Sequence, residues 1–142
     1  MSSAAAPRPP AGRLSAGDRR IAALMAFEAA TLVVFSALHL SGALKPGSGS
    51  SNGAGFAEAT ICIALVLGLR ALVRSPARGR LAALCATGFA IAGFIVGMTF
   101  TVDGGATVDL IYHVTMFPVL GVTALTLARG VGAATLGDGR PS

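Results

Sequence analysis

The sequence predicts an all-α membrane protein, an antiparallel bundle of four transmembrane helices. Only 12% of the 142 residues are charged, whereas a soluble domain carries about 25%. The apolar residues gather into four blocks, each long enough to cross a bilayer core at about 1.5 Å per residue. The basic residues lie at alternate ends of these blocks, as expected of a multi-pass membrane protein.

The four predicted helices form one membrane domain, residues 19–129, between two polar tails. Residues 1–18 and 130–142 have no apolar period, and both are predicted to be cytoplasmic tails, the first of them disordered. Proline and glycine mark each turn between the blocks. The predicted helices cover about residues 19–44, 55–73, 80–102 and 107–129.

The distribution of basic residues predicts the orientation. All ten arginines lie in or next to the N-terminal tail, around the connection between the second and third blocks, or from residue 129 onward. The other two connections between blocks contain only one basic residue, Lys45. The positive-inside rule therefore predicts that both termini are cytoplasmic. The preference for arginine over lysine, with the alanine and glycine bias, indicates a bacterial protein of the cell membrane. A cleavable signal peptide is the alternative for the first helix, although a polar tail precedes it and its apolar stretch is too long.

The partner predicted by this pattern is the lipid bilayer and not a nucleic acid. A nucleic-acid-binding protein collects its basic residues on one solvated face and adds stacking aromatic residues. This chain has no tryptophan and one tyrosine, and its arginines flank the apolar blocks.

Four ionisable residues are predicted to meet in one layer near the outer ends of the helices. Ionisable groups inside a membrane are functional candidates because they are costly unless paired or hydrated. With antiparallel threading, His39, Glu58, Asp109 and His113 lie roughly 3–9 Å below the outer surface. Asp109 and His113 are four residues apart and share a helix face.

These residue types predict a cofactor site. Inward-facing carboxylates and histidines build metal sites in bundles, and two histidines on different helices hold a b-type haem. We therefore predict that His39 and His113 are the ligands of a metal ion or haem, with Glu58 and Asp109 as further ligands or supports. A quinone-like molecule is a third candidate, and a hydrated rim without a ligand is the alternative.

A fifth ionisable residue, Glu28, lies deeper in the first helix. Eleven residues separate it from His39, so both side chains are predicted on nearly the same face of the helix. A hydrogen bond to a threonine of a neighbouring helix is one predicted role. The other is that Glu28 carries a proton or anchors a ligand.

Gly93 and Gly97 form a G-x-x-x-G pattern in the third helix. Small residues at this spacing allow two helices to approach closely in lipid. The pattern predicts either packing within the bundle or a face that contacts a second copy or a larger membrane complex.

The first two helices resemble those of DoxX-like small four-helix membrane proteins. The resemblance is carried by SALHLSGALKPG and GFAEATICIALVLGL, in which Gly42, Lys45, Glu58 and Gly68 match the pattern. It implies a four-helix bundle associated with redox or quinone biology. His39, Asp109 and His113 have no counterpart in it.

Three functions are compatible with these observations. The first is a redox-associated subunit with a cofactor near the outer leaflet, and the second is a structural or accessory subunit of a larger complex. The third is a small proton-coupled carrier that uses Glu28. The H-E-x-x-H and C-x-x-C motifs of soluble enzymes do not occur, so the sequence favours a non-enzymatic protein.

Overall fold

Four helices make up nearly all of the described part of the chain. The computed structural model describes residues 14–137, with side chains as far as residue 132. Within this part the only elements are helices joined by short connections, which confirms the predicted all-α, four-helix fold. The helices are α1 (Ala16–Leu40), α2 (Ser51–Arg74), α3 (Pro76–Thr101) and α4 (Thr107–Gly137).

All four helices are long and apolar enough to cross a membrane. The mean hydropathy of their most apolar 18-residue windows lies between 1.7 and 2.1. Large apolar side chains cover the outside of the bundle, and Phe27, Phe56, Ile63 and Leu125 are each more than half exposed. Soluble monomers rarely expose contiguous apolar patches larger than a few hundred Å². This surface therefore suits lipid, as expected of a multi-pass membrane protein.

Local capping sets the helix starts a few residues before the predicted ones. The Ser15 hydroxyl accepts a hydrogen bond from the Asp18 amide at 3.0 Å, so α1 begins before residue 19. Ser50 caps α2 in the same way through the Gly53 amide. Pro76 occupies the first turn of α3, where a missing N–H leaves no hydrogen bond unmade.

The helix ends also differ from the predicted ones at two places. Helix α1 stops at Leu40 instead of about residue 44, because the chain turns at Gly42, whose φ is +75°. Helix α4 continues past residue 129 to Gly137, so part of the predicted C-terminal tail is helical. The rest of the two predicted tails, residues 1–13 and 138–142, lies outside the described residues.

The helices pack in chain order around one core. Each helix packs extensively on the next, while α1 and α4 make a smaller contact that closes the bundle. We call the end that carries connections 41–50 and 102–106 the distal end, and the end with the turn at Ser75 the proximal end. The largest fully buried apolar side chains are Met25, Leu32, Leu65, Leu72, Leu120 and Leu127.

An ion pair joins three helices at the proximal end. Arg80 of α3 donates to the Asp18 carboxylate of α1 from Nη2 at 2.8 Å and from Nε at 3.2 Å. The guanidinium lies on the backbone of α4, because a Cβ added at Gly130 would stand 2.8 Å from Arg80 Cζ. We call this arrangement of Asp18, Arg80 and Gly130 the proximal latch.

Candidate functional site

The four residues predicted to share one layer do meet at the distal end. His39 comes from the last turn of α1, Glu58 from α2, and Asp109 and His113 from the first turns of α4. All four are buried. One possible ligand atom from each of His39, Glu58 and Asp109 lies within 4.8 Å of the other two. We call these four residues the distal polar cluster.

His39 stands between two carboxylates. Its Nδ1 is 2.9 Å from Glu58 Oε2, a hydrogen-bond distance. Its Nε2 is 3.7 Å from Asp109 Oδ2, which is too long for a hydrogen bond, and this nitrogen has no partner. Since a carboxylate can only accept, Nδ1 carries the hydrogen. When the imidazole is neutral, its lone pair is therefore on Nε2.

Asp109 is held from two sides. The Thr101 hydroxyl donates to Oδ2 at 2.9 Å, across the short connection between α3 and α4. His113 Nδ1 lies 2.9 Å from the Asp109 carbonyl oxygen and 3.3 Å from Oδ1. The single hydrogen on that nitrogen is directed at the carbonyl, so Oδ1 remains buried without a hydrogen bond. The carboxylate thus has one atom available for another ligand.

Gly93 and Gly97 face the interior of the bundle. A Cβ at Gly93 would collide with the Ile61 side chain of α2, and a Cβ at Gly97 would lie 2.7 Å from His113 Nε2. The pair therefore serves the packing inside the bundle, one of the two predicted roles. At Gly97 the missing side chain makes room for the imidazole of His113.

A cleft of about 540 Å³ opens between the distal halves of α2 and α3. Its floor is the distal polar cluster, and most of its walls are apolar. Phe89, Val96 and Phe100 line it and are each nearly half exposed or more, so the cleft opens sideways onto the surface that suits lipid. The volume falls in the usual range for small-molecule sites, about 300–1,000 Å³.

An aromatic layer separates this cluster from the deeper Glu28. Tyr112 stacks on Phe35 with ring centroids 3.6 Å apart, and its hydroxyl donates to Thr31 at 3.3 Å. Thr31 lies one turn from Glu28 on α1. Neither Tyr112 nor Thr101 lies in a sequence pattern that marks a site residue, because their roles depend on contacts between helices.

Glu28 is fully buried, and Thr123 of α4 is its hydrogen-bond partner. The Thr123 hydroxyl donates to Oε1 at 2.6 Å, and Thr123 is one of the threonine residues available on neighbouring helices. The other carboxylate oxygen, Oε2, is buried without a partner. Glu28 therefore links α1 to α4, the pair of neighbours with the smaller contact.

The geometry fits a metal ion better than a haem. A haem iron needs imidazole nitrogens facing it from opposite sides, but the Asp109 carboxylate lies between His39 and His113. The group with metal-ligand spacing contains His39 and the carboxylates of Glu58 and Asp109. His113, predicted as the second metal ligand, is not in this group, and its Nε2 lies beside Gly97 at the cleft.

Comparison of the chain with protein-family models, curated proteins and solved structures finds no match.

Proposed function

We propose that this protein is a redox-associated membrane protein that binds a quinone-type molecule in the cleft between α2 and α3. One observation carries the proposal: a buried imidazole, His113, reaches a cleft with mostly apolar walls beside Gly97. A ligand held there needs an apolar body and one polar group within hydrogen-bond reach of His113 Nε2.

The chemistry of the cleft favours a flat, neutral head. Phe89, Phe94 and Phe100 line the cleft, and aromatic rings favour offset stacking on a flat partner. Two carboxylates at the floor disfavour an anionic phosphate head, because like charges repel at short range in a low dielectric. In its imidazolium form, which the Asp109 carboxylate 3.3 Å from Nδ1 stabilises, His113 donates a hydrogen bond from Nε2 to a quinone carbonyl. The isoprenoid tail leaves through the lipid-facing opening.

The arginine distribution supports a location in the outer leaflet of a bacterial cytoplasmic membrane. With both termini cytoplasmic, the distal end faces outward. The resemblance of the first two helices to DoxX-like proteins supports a link to quinone chemistry. The two alternatives are less well supported: Gly93 and Gly97 are occupied within the bundle, and the stacked rings of Phe35 and Tyr112 lie at a level between Glu28 and the distal polar cluster.

Filling the space at Gly97 is expected to weaken ligand binding. In Gly97→Val, a branched side chain displaces His113 Nε2 and narrows the cleft, so the affinity for a short-chain quinone falls by at least about tenfold, the equivalent of about 1.4 kcal/mol. Binding is measured by equilibrium dialysis of detergent-purified protein against a water-soluble quinone. Gly88→Val is the matched control, since Gly88 is on the exposed face of the same helix and an added Cβ there meets nothing within 4 Å.

The His113→Ala variant separates hydrogen bonding from shape. It enlarges the cleft and removes the polar group, and it should lose about 1–3 kcal/mol of binding free energy. Quinone affinity that is equal in wild type, Gly97→Val and His113→Ala would exclude the cleft as the binding site.

A further inference from the structure

Two buried polar atoms of the distal polar cluster have no hydrogen-bond partner. They are His39 Nε2 and Asp109 Oδ1, and both side chains are 1% exposed. Buried polar atoms are nearly always hydrogen-bonded, so an unpaired one in a native protein calls for an explanation. The two residues also lie side by side, since His39 Nε2 is 3.7 Å from the other carboxylate oxygen of Asp109, Oδ2, so one ligand can reach both.

The chemistry of these atoms selects a cation as the partner. With its hydrogen on Nδ1, His39 presents a lone pair at Nε2, and the facing group is the acceptor-only carboxylate of Asp109. His39 Nε2 of the neutral imidazole and Asp109 Oδ2 are two acceptors 3.7 Å apart. They cannot satisfy each other, and both can bind one positive ion. A metal ion with ligands at about 2.0–2.2 Å holds neighbouring ligand atoms roughly 3–4 Å apart, which matches the observed separation.

Glu58 completes the arrangement expected around a metal-bound histidine. Histidine ligands donate their other ring N–H to a carboxylate or carbonyl, which fixes the tautomer and the ring orientation. Glu58 Oε2 takes that role at 2.9 Å from Nδ1. The Glu58 side chain also belongs to the group of three with metal-ligand spacing. Thr101 fixes Asp109 in a comparable way through Oδ2.

We propose that a divalent transition-metal ion binds at the distal end between His39 Nε2 and the Asp109 carboxylate, while Glu58 holds His39 from the other ring nitrogen. Imidazole and carboxylate donors suit Zn²⁺, Mn²⁺ or Fe²⁺. With Glu58 as its support, the site draws one residue from each of α1, α2 and α4, so metal binding joins three helices. His113 remains free of the ion and faces the cleft. The metal site shares its location with the proposed quinone site but does not depend on it.

Zinc binding by detergent-purified, EDTA-stripped protein tests this proposal. After dialysis against Zn²⁺, elemental analysis should give about one equivalent in the wild type, and Zn²⁺ should raise the thermal midpoint. Losing an outer support of a metal site costs about 10–100-fold in affinity, so losing the ligand in His39→Ala should cost at least about 100-fold. The Asp109→Asn variant should also bind Zn²⁺ more weakly than the wild type does.

The Asp109→Asn variant should keep the wild-type fold, because the asparagine side chain has the same shape as aspartate and still offers an oxygen that accepts from Thr101. A loss of Zn²⁺ binding in this variant therefore does not result from misfolding. Asp103→Asn is its matched control, because Asp103 is exposed at the same end of the bundle and its variant should bind Zn²⁺ as the wild type does. The proposal is overturned if wild-type protein takes up no stoichiometric Zn²⁺, Mn²⁺ or Co²⁺. It is also overturned if the Asp109→Asn and Asp103→Asn variants bind equally. Quinone binding by metal-stripped protein is measured separately, so failure of one proposal does not decide the other.

Discussion

Replacing Arg80 with alanine is expected to lower the free energy of unfolding by about 2 kcal/mol. Removing one partner of a buried ion pair costs about 3–5 kcal/mol, because the other charge remains buried and unpaired, whereas an exposed pair contributes less than about 1 kcal/mol. An intermediate value applies here, since the Asp18 side chain is 5% exposed but that of Arg80 is 27% exposed, and Asp18 keeps a hydrogen bond from the Ser15 hydroxyl. The substitution removes the ion pair of the proximal latch, which joins α1, α3 and α4.

Equilibrium unfolding in mixed detergent micelles measures this effect. Arg78→Ala is the matched control, because Arg78 lies two residues away on the same helix turn and is exposed. Surface substitutions usually stay within about 0.5 kcal/mol of the wild type. If both variants unfold at the same denaturant concentration, the latch contributes nothing to stability.

Replacing Thr123 with valine is expected to destabilise the protein by about 1–3 kcal/mol. The change keeps the volume but removes the donor to Glu28, so that both carboxylate oxygens are buried without a partner. A buried polar group without a hydrogen bond costs about 1–3 kcal/mol. This cost exceeds the roughly 0.6 kcal/mol that an average hydrogen bond between membrane helices contributes. Thr126→Val is the control, since its hydroxyl is exposed and bonds within its own helix.

A double variant shows whether Glu28 is the cause. Replacing both partners with apolar residues of similar shape can be nearly neutral, so Glu28→Leu with Thr123→Val should recover most of the lost stability. A double variant that is less stable than Thr123→Val would mean that Glu28 makes a contribution that its bond to Thr123 does not account for.

The common level of the distal polar cluster was predictable because it depends only on rise per residue and alternating direction. His39 precedes the end of one block by a few residues, Glu58 follows the start of the next, and Asp109 and His113 follow the start of the fourth. In a bundle with short loops these positions coincide in depth whatever the details of packing.

The partners within the cluster were not predictable in the same way. Which carboxylate meets which nitrogen of His39 depends on the rotation of each helix about its axis, and apolar side chains on nearly all sides of a membrane helix leave no periodic signal of that rotation. Gly97 illustrates the point: its spacing from Gly93 indicated close packing but not that an imidazole occupies the space.

The sequence by itself determined the four helices, their apolar surface and the layer in which the ionisable residues gather. These follow from block length and residue order, which are local properties of the chain. Only the tertiary structure decided that His39 stands between Glu58 and Asp109, that His113 faces a cleft, and that Asp18 pairs with Arg80. Those contacts join residues up to 70 positions apart (His39 to Asp109), and they depend on how the helices rotate and pack against one another.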